Sequence, residues 1–332
     1  MIVSLKHDAD AGRVLNELAG RGLWVSRVER SASGSTVHYV IASHSQPADP
    51  ADLARIDGVA EVTTPKPAHP LVAAQGPVVT VGGVKIGGAS PVWMCGPCSV
   101  ESEGHVLEMA QVLAKLGVTF LRGGAFKPRT SPYAFQGHGD AALGWMRRAA
   151  DAAGMLVVTE ALGEGHVPFV AEVADLVQVG SRNMQNFALL KAVGRAGKPV
   201  LLKRGMASTI EEWLLAGEYV LSHGASGVIF CERGIRGFDD STRNLLDLGA
   251  VALLRHVHRL PVIVDPSHGA GRRDLVLPLG RAALSAGAAG LMIETHPDPG
   301  AALSDGPQAV PLAQLGPVLS DLGGAYAKEA VQ

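Results

Sequence analysis

Eight short runs of β-branched and aliphatic residues recur between positions 92 and 293, and each gives way to a polar or charged side chain for which a plain core strand has no use. The runs are Val92–Cys95, Val118–Leu121, Leu156–Thr159, Leu176–Val179, Val200–Leu202, Val228–Cys231, Val262–Val264 and Leu291–Ile293. At or just after their ends stand Cys98, Arg122, Glu160, Arg182, Lys203 with Arg204, Glu232 with Arg233, Asp265 with His268, and Glu294. Repeated strands separated by helix-patterned sequence are what a closed (β/α)8 barrel, the TIM barrel, requires, and active sites of that architecture sit at the C-terminal strand ends. The pattern predicts an enzyme before any motif is considered.

Such a barrel takes about 250 residues. The chain has 332, 47% of them hydrophobic, and the surplus lies at the N-terminus. Within residues 1–64, Ile2–Lys6 reads as a strand, and Val14, Leu15 and Leu18 fall at helical spacing before Gly20. Trp24–Val28 and Val37–Ile41 alternate around the turn at 31–35. Pro50–Ile56 is a short helix capped by Asp49, and Val59–Val62 is a last strand. The order βαββαβ predicts a ferredoxin-like (ACT-like) domain, associative or regulatory because no catalytic set lies in it. Residues 65–77, with Pro65, Pro67, Pro70 and Pro77, read as a linker. The barrel domain is expected over 78–332. It opens with a hairpin, Val78–Val81 and Val84–Ile86 around Gly82-Gly83, placed to plug the N-terminal end of the barrel.

A formal net charge of −2 gives no general attraction to nucleic acid or anionic membrane, so a local cluster of Arg and Lys becomes informative. The three cysteines, at positions 95, 98 and 231, form no disulfide framework and fit a reducing cytoplasm. The N-terminus lacks the apolar stretch of a signal peptide, and no run approaches the ~18 residues of a membrane span.

Two constellations carry chemistry. Cys98 follows strand one, His268 follows strand seven, Glu294 ends strand eight, and Asp305 lies in the loop beyond. Strands one, seven and eight become neighbours when the barrel closes, so these four side chains converge. A thiolate, an imidazole and two carboxylates suit Mn²⁺, Fe²⁺, Co²⁺ or Zn²⁺, and not a structural zinc cage. Cys95, by contrast, reads as a small buried hydrophobe. The second constellation is basic: Arg122, Lys127, Arg129, Arg182, Lys203, Arg204, Arg233 and Arg236 fall at or just after strands two, four, five and six. Facing one another in a barrel mouth they would repel, so they call for anionic ligands bearing more than one phosphate or carboxylate. Glu160 and Glu232 are the acids that could neutralise two or three of them. The loop Gly123–Tyr133 combines two glycines, which allow close backbone approach, with two prolines that stiffen it.

The stretches Gly96–Ser102, Lys127-Pro128-Arg129-Thr130-Ser131-Pro132-Tyr133, Gly180–Asn186, Leu202–Gly205, Cys231–Arg236 and Asp265–Gly269 resemble the 3-deoxy-D-arabino-heptulosonate 7-phosphate (DAHP) synthases. The likeness is to the type I-beta branch, which carries an N-terminal ferredoxin-like regulatory domain. The resemblance implies condensation of phosphoenolpyruvate with erythrose 4-phosphate, the first step of the shikimate pathway. It implies a divalent metal, Mn²⁺ foremost, on Cys98, His268, Glu294 and Asp305. It assigns phosphoenolpyruvate to Arg122, Lys127, Arg182, Lys203, Arg233 and His268, and erythrose 4-phosphate to Pro128, Arg129 and Thr130, with Ser181 and Asp305 also on the substrate side. Lys127 and His268 are the implied catalytic pair. Feedback inhibition by tyrosine or phenylalanine, a homotetramer and a chorismate mutase partner are further implications. The chain departs from the family pattern at Cys95, where a small residue such as Ala is usual, at Gly237, where Thr is usual, and at Ala288-Ala289-Gly290, where Asp precedes the Gly.

Three other readings stand beside this one. A 3-deoxy-manno-octulosonate 8-phosphate synthase would use arabinose 5-phosphate, but it carries Asn-Arg-Ser-Ser where this chain has Pro128-Arg129-Thr130-Ser131. A second is a synthase accepting an amino-substituted sugar phosphate. A third is a non-catalytic regulatory partner of chorismate mutase, against which the intact metal and anion sets argue.

Overall fold

The computed structural model describes residues 1–30, 36–128 and 131–329. These form two compact units, Met1–Ala68 and His69–Gln332. In the first, strands Ile2–Leu5, Val25–Arg30, Val37–Ile41 and Val59–Thr63 make an antiparallel sheet in the order second, third, first, fourth. Helix Ala11–Gly20 is started by Asp10, whose side chain accepts from Arg13 N, and buries Val14 and Leu18. Those two pack with Val3, Leu5, Tyr39, Leu53 and Ile56. The second helix, Pro50–Leu53, is shorter than the sequence suggests, but Asp49 caps it as expected, accepting from Ala51 N. This is the expected βαββαβ arrangement; the turn at 31–35 lies outside the described residues.

The second unit is a closed parallel barrel of eight strands: β1 Val92–Gly96, β2 Phe120–Arg122, β3 Leu156–Glu160, β4 Leu176–Val179, β5 Val200–Lys203, β6 Val228–Glu232, β7 Val262–Val264 and β8 Gly290–His296. Closure is made by β8, which pairs with β7 at Ile263↔Gly290 and with β1 from Gly290↔Val92 to Glu294↔Gly96. The alternation of each strand sorts its side chains. Val92, Met94, Phe120, Val158, Leu201, Ile229, Cys231, Ile263 and Met292 fill the inside. Cys95, Leu121, Val157, Leu202, Phe230, Val264 and Ile293 pack outward against the helices, as a TIM barrel requires. Helices Glu103–Lys115, Asp140–Ala153, Val167–Val173, Phe187–Arg195, Ile210–Ser222, Leu248–Ala252, Val276–Ser285 and Leu312–Glu329 follow the successive strands.

The hairpin plugs the barrel as expected. Val79, Val81 and Ile86 join the interior cluster, and Gly82 and Gly83 take φ values of +52° and +85° in the two-residue turn. A Cβ on Gly82 would lie 2.5 Å from Leu156 Cδ2. The proline-rich stretch read as a linker behaves differently: Pro70–Gln75 is a helix belonging to the barrel unit. Pro70 occupies the first turn, where a missing N–H costs nothing. The Glu218 carboxylate accepts from Leu71 N and Val72 N at 3.1 and 2.9 Å, and Gln75 bonds the backbone of Val228 in both directions.

Candidate active site

The polar strand ends converge at the C-terminal mouth. Cys98 reaches it because Gly96 turns the chain after β1 with φ +153°, where a Cβ would lie 2.0 Å from Arg122 O. Asp265 caps the short helix Pro266–Ala270, its Oδ1 accepting from His268 N at 2.9 Å. Its Oδ2 accepts from His268 Nδ1 at 2.7 Å and from Lys203 Nζ at 2.6 Å. Glu294 Oε1 takes Arg122 Nη1 at 2.6 Å, and Cys98 Sγ lies 3.0 Å from both Asp305 Oδ2 and Lys127 Nζ. The donor atoms of Cys98, His268, Glu294 and Asp305 all lie within 4.8 Å of one another.

This donor set fits a divalent cation. With Nδ1–H engaged by Asp265, a neutral His268 points the lone pair of Nε2 at Glu294 Oε1, 3.2 Å away. Two acceptors facing each other at that distance call for a cation between them. Burial lowers the pKa of His268 despite Asp265 and Glu294, which keeps the imidazole neutral. Burial opposes ionisation of Glu294, but His268 once protonated in acid, with Arg122 and Lys127, outweighs it and holds the carboxyl at about 2. Asp265, likewise buried, is held well below the ordinary range by His268 and Lys203. Burial, with Glu294 alongside, pushes the Cys98 thiol up to about 12, so without a metal it is an S–H donor to Asp305.

Beside these donors is a cavity of about 180 Å³ lined by Arg122, Lys127, Pro128, Ser181, Arg182, Lys203, Arg233, His268 and Asp305, together with Glu160, Gln178, Gly180, Met206 and Arg243. Arg122 and Lys203 are paired with buried acids. Lys127, Arg182 and Arg233 have no carboxylate within ion-pair distance among the described residues. Two buried polar atoms on its wall, Arg233 Nη1 and Ser181 Oγ, have no hydrogen-bond partner there. A buried donor left unmatched costs about 1–3 kcal/mol, so the wall is built for a ligand that supplies acceptors.

Two cations grouped with this wall by sequence stand elsewhere. Arg204, adjacent to Lys203, points the other way and is neutralised by Glu232 at 3.2 Å and Asp247 at 2.8 Å. Arg236 is exposed and does not line the cavity. Glu232 is thus the neutralising acid the sequence suggested. Glu160 instead accepts from Gln178 Nε2 at 2.9 Å, and its Oε1 lies 2.0 Å from where a Gly180 Cβ would stand. Arg129 and Thr130 lie outside the described residues. Arg243 was not visible from strand ends: it sits in the loop after β6, which the Ile235↔Leu245 bridge folds back over the mouth. Its Nη1 lies 3.0 Å from Gln308 Oε1 and 3.4 Å from Asp305 Oδ1. Among the described residues no helix is long and apolar enough to cross a membrane.

Residues 64–323 match the model of the DAHP synthetase I family. Over 233 residues the chain is 55% identical to a phospho-2-dehydro-3-deoxyheptonate aldolase of Thermotoga maritima, covering 70% of this chain and 69% of that protein. It is also 34% identical over 267 residues to a 2-dehydro-3-deoxyphosphooctonate aldolase of Bradyrhizobium sp. (strain ORS 278), covering 74% and 92%. The crystal structure of phospho-2-dehydro-3-deoxyheptonate aldolase (DAHP synthase) from Thermotoga maritima is similar with a TM-score of 0.78 at 41% identity, over 99% of this chain and 98% of that one. A truncated form of 3-deoxy-D-arabino-heptulosonate 7-phosphate synthase from the same organism gives 0.72 at 47% identity, over 77% and 94%. With its barrel, its convergent strand ends and this extent of identity, the chain belongs to the DAHP synthetase I family.

Proposed function

We propose that the protein condenses phosphoenolpyruvate with erythrose 4-phosphate and water, giving 3-deoxy-D-arabino-heptulosonate 7-phosphate and inorganic phosphate. The observation that carries this reading is the cavity wall on which Arg233 Nη1 and Ser181 Oγ are buried without partners. Phosphoenolpyruvate, with one carboxylate and one phosphate, supplies the acceptors that Arg122, Lys127, Ser181, Arg182, Lys203 and Arg233 need. Pro128, Arg129 and Thr130 are assigned to erythrose 4-phosphate. Fixing both anions holds the two reactants in attack geometry, an entropic contribution of up to several kcal/mol.

Carbon 3 of the enol phosphate attacks the aldehyde carbon, and water adds at carbon 2. The hemiketal phosphate then loses phosphate by C–O cleavage to leave the 2-ketone. Lys127 Nζ, 3.0 Å from Cys98 Sγ at the border of the donor set and the cavity, delivers the proton to the former aldehyde oxygen. His268, its Nδ1 fixed by Asp265, keeps Nε2 aimed into the donor set. A divalent cation on Cys98, His268, Glu294 and Asp305, Mn²⁺ in the first instance, supplies Lewis acidity when bound. The test is steady-state loss of phosphoenolpyruvate on adding erythrose 4-phosphate, arabinose 5-phosphate or an amino-substituted aldose phosphate, with and without chelator. Turnover with erythrose 4-phosphate that chelator abolishes is expected. Turnover with arabinose 5-phosphate alone transfers the protein to the octulosonate reading that its relatives at about one-third identity favour.

The unit Met1–Ala68 is assigned to feedback inhibition by tyrosine or phenylalanine. Its deletion has to begin the remaining chain at His69, because a cut at Val78 would remove the Pro70–Gln75 helix from the barrel unit. Loss of inhibition with retained turnover is expected; indifference of the intact enzyme to both amino acids refutes the assignment. Assembly as a homotetramer and association with chorismate mutase are checked by light scattering of the protein alone and with the mutase. The three free, buried cysteines suit a cytoplasmic setting.

A further inference from the structure

Of the metal-donor set, Cys98 and Asp305 lie in loops, and the backbone of Asp305 is left-handed, φ +50° and ψ +28°. Asp tolerates that region better than most residues, yet the conformation persists only where neighbours hold it. The loop from the end of β8 exposes Leu303 and buries Ser304. Two hydrogen bonds fasten it just before Asp305, and both lead to residues flanking Cys98. Leu303 N donates to Glu101 Oε1 at 2.7 Å, and Ser304 Oγ lies 2.7 Å from Ser99 Oγ. Downstream, Arg273 holds Gly306 O and Pro307 O.

Glu101 is itself locked. Asp298 N donates to His296 Nδ1 at 3.1 Å, and the other ring nitrogen, Nε2, lies 3.3 Å from Glu101 Oε2. The donor atoms of Glu101, His105 and His296 lie within 4.8 Å of one another, as a metal site would require. The contacts argue against one there: Glu101 Oε1 already holds Leu303 N, Oε2 faces His296 Nε2, and His296 Nδ1 accepts from Asp298 N, so neither residue is a free ligand. Glu101 and His296 form a hydrogen-bonded clamp.

We infer that Glu101 is a positioning residue for the metal centre: it fixes the Asp305 loop onto the Cys98 loop and so sets the separation of two donors without touching the ion. The inference rests on the metal-dependent reading above. Outer partners of this kind alter metal affinity by about 10- to 100-fold. Co²⁺ affinity of the full-length protein, measured by competition with a chromophoric chelator, tests it in a double-mutant cycle of Glu101→Ala and Asp305→Ala.

Glu101→Ala is expected to weaken Co²⁺ binding at least about tenfold in the native background and less than about twofold when Asp305 is already Ala. Glu101→Gln, whose amide oxygen still accepts from Leu303 N but whose amide NH2 replaces the carboxylate oxygen facing His296 Nε2, falls between Ala and Glu. One Co²⁺ is expected per chain. Should Glu101→Ala not fold, Ser304→Ala, which removes the second tie, must show the same dependence on Asp305. An unchanged affinity in Glu101→Ala, an equal penalty in both backgrounds, or a second Co²⁺ lost with His105→Ala overturns the inference. If Asp305→Ala itself leaves Co²⁺ affinity unaltered, the metal reading fails first, and the two failures are told apart.

Discussion

Arg233 and Arg204 are buried almost equally, at 6% and 5% exposure, but they should respond in opposite directions to the same substitution. Arg204 is a structural cation: its guanidinium meets Glu232, Asp247 and Ser208 O. Arg204→Met would strand Glu232, which is fully buried, and removing one member of a buried pair costs about 3–5 kcal/mol. Arg233 has no hydrogen-bond partner for Nη1 among the described residues. Burial lowers its pKa, opposed by Asp265 and aided by Arg243. Met fills a similar volume and relieves an unmatched donor worth about 1–3 kcal/mol, so the ligand-free Arg233→Met protein should be as stable as the native one or up to about 2 kcal/mol more stable. It should also bind phosphoenolpyruvate at least about 100-fold more weakly, since two charge-assisted hydrogen bonds at about 1.5 kcal/mol each amount to roughly 3 kcal/mol. The assay is thermal unfolding of the native protein and both variants, with and without phosphoenolpyruvate. The native protein should gain stability with the ligand and Arg233→Met should not. A ligand-free Arg233→Met that melts as low as Arg204→Met would refute the argument, because Arg233 would then be structural.

Three further outcomes are expected. Because the folded-state pKa of Glu294 is depressed from 4.5 to about 2, its contribution is fully present above about pH 5 and is lost as pH falls through about 2; Asp265 acts in the same direction. Denaturant titration of metal-free protein should lose on the order of 3 kcal/mol over that window, and a flat profile would count against the paired-acid reading. Cys98 is protonated up to about 12 and His268 is already neutral, so Co²⁺ binding at neutral pH should release one proton per ion; Cys98→Ala should release none, as read in weakly buffered solution with a pH indicator. Ile86→Ala removes a fully buried side chain from the plug, opens a cavity and should cost about 2–5 kcal/mol in denaturant unfolding while leaving KM unchanged; a cost below about 1 kcal/mol would mean the hairpin does not seal the barrel.

The barrel and most of the site were legible because strand alternation and polar strand ends are local signals. An interior residue such as Met94 and a mouth residue such as Arg122 announce themselves by position in a run, while Gly82-Gly83 act through their own backbones and Asp49 through a side chain that caps the adjoining turn. What was missed depends on distant partners. The Pro70–Gln75 helix is too short to show periodicity, and its N-terminus is satisfied by Glu218, 146 residues from Val72. Lys203 and Arg204 look alike in sequence, but as consecutive residues at a strand end they face opposite sides, one toward Asp265 and the other toward Glu232 and Asp247. Arg243 reaches the mouth only because its loop folds back on itself, a placement no strand-end rule could give.

Sequence alone also divides the mouth into metal donors on strands one, seven and eight and cations on strands two, four, five and six. In three dimensions the two sets interlock. Arg122 holds Glu294, Lys203 holds Asp265 and through it His268, and Lys127 holds both the thiol and the carbonyl of Cys98. Each bond serves two ends. It keeps a donor in position while offsetting the repulsion between clustered carboxylates, and it keeps a cation at the cavity wall without neutralising the whole wall, since Lys127, Arg182 and Arg233 stay without ion-pair partners among the described residues. A mouth built from cations alone would fly apart before a substrate arrived, and one fully paired would have no field left to bind it. On the function proposed above, the residual unpaired charge is what would bind polyanionic ligands, and the paired remainder is what lets that charge be held ready in a buried place.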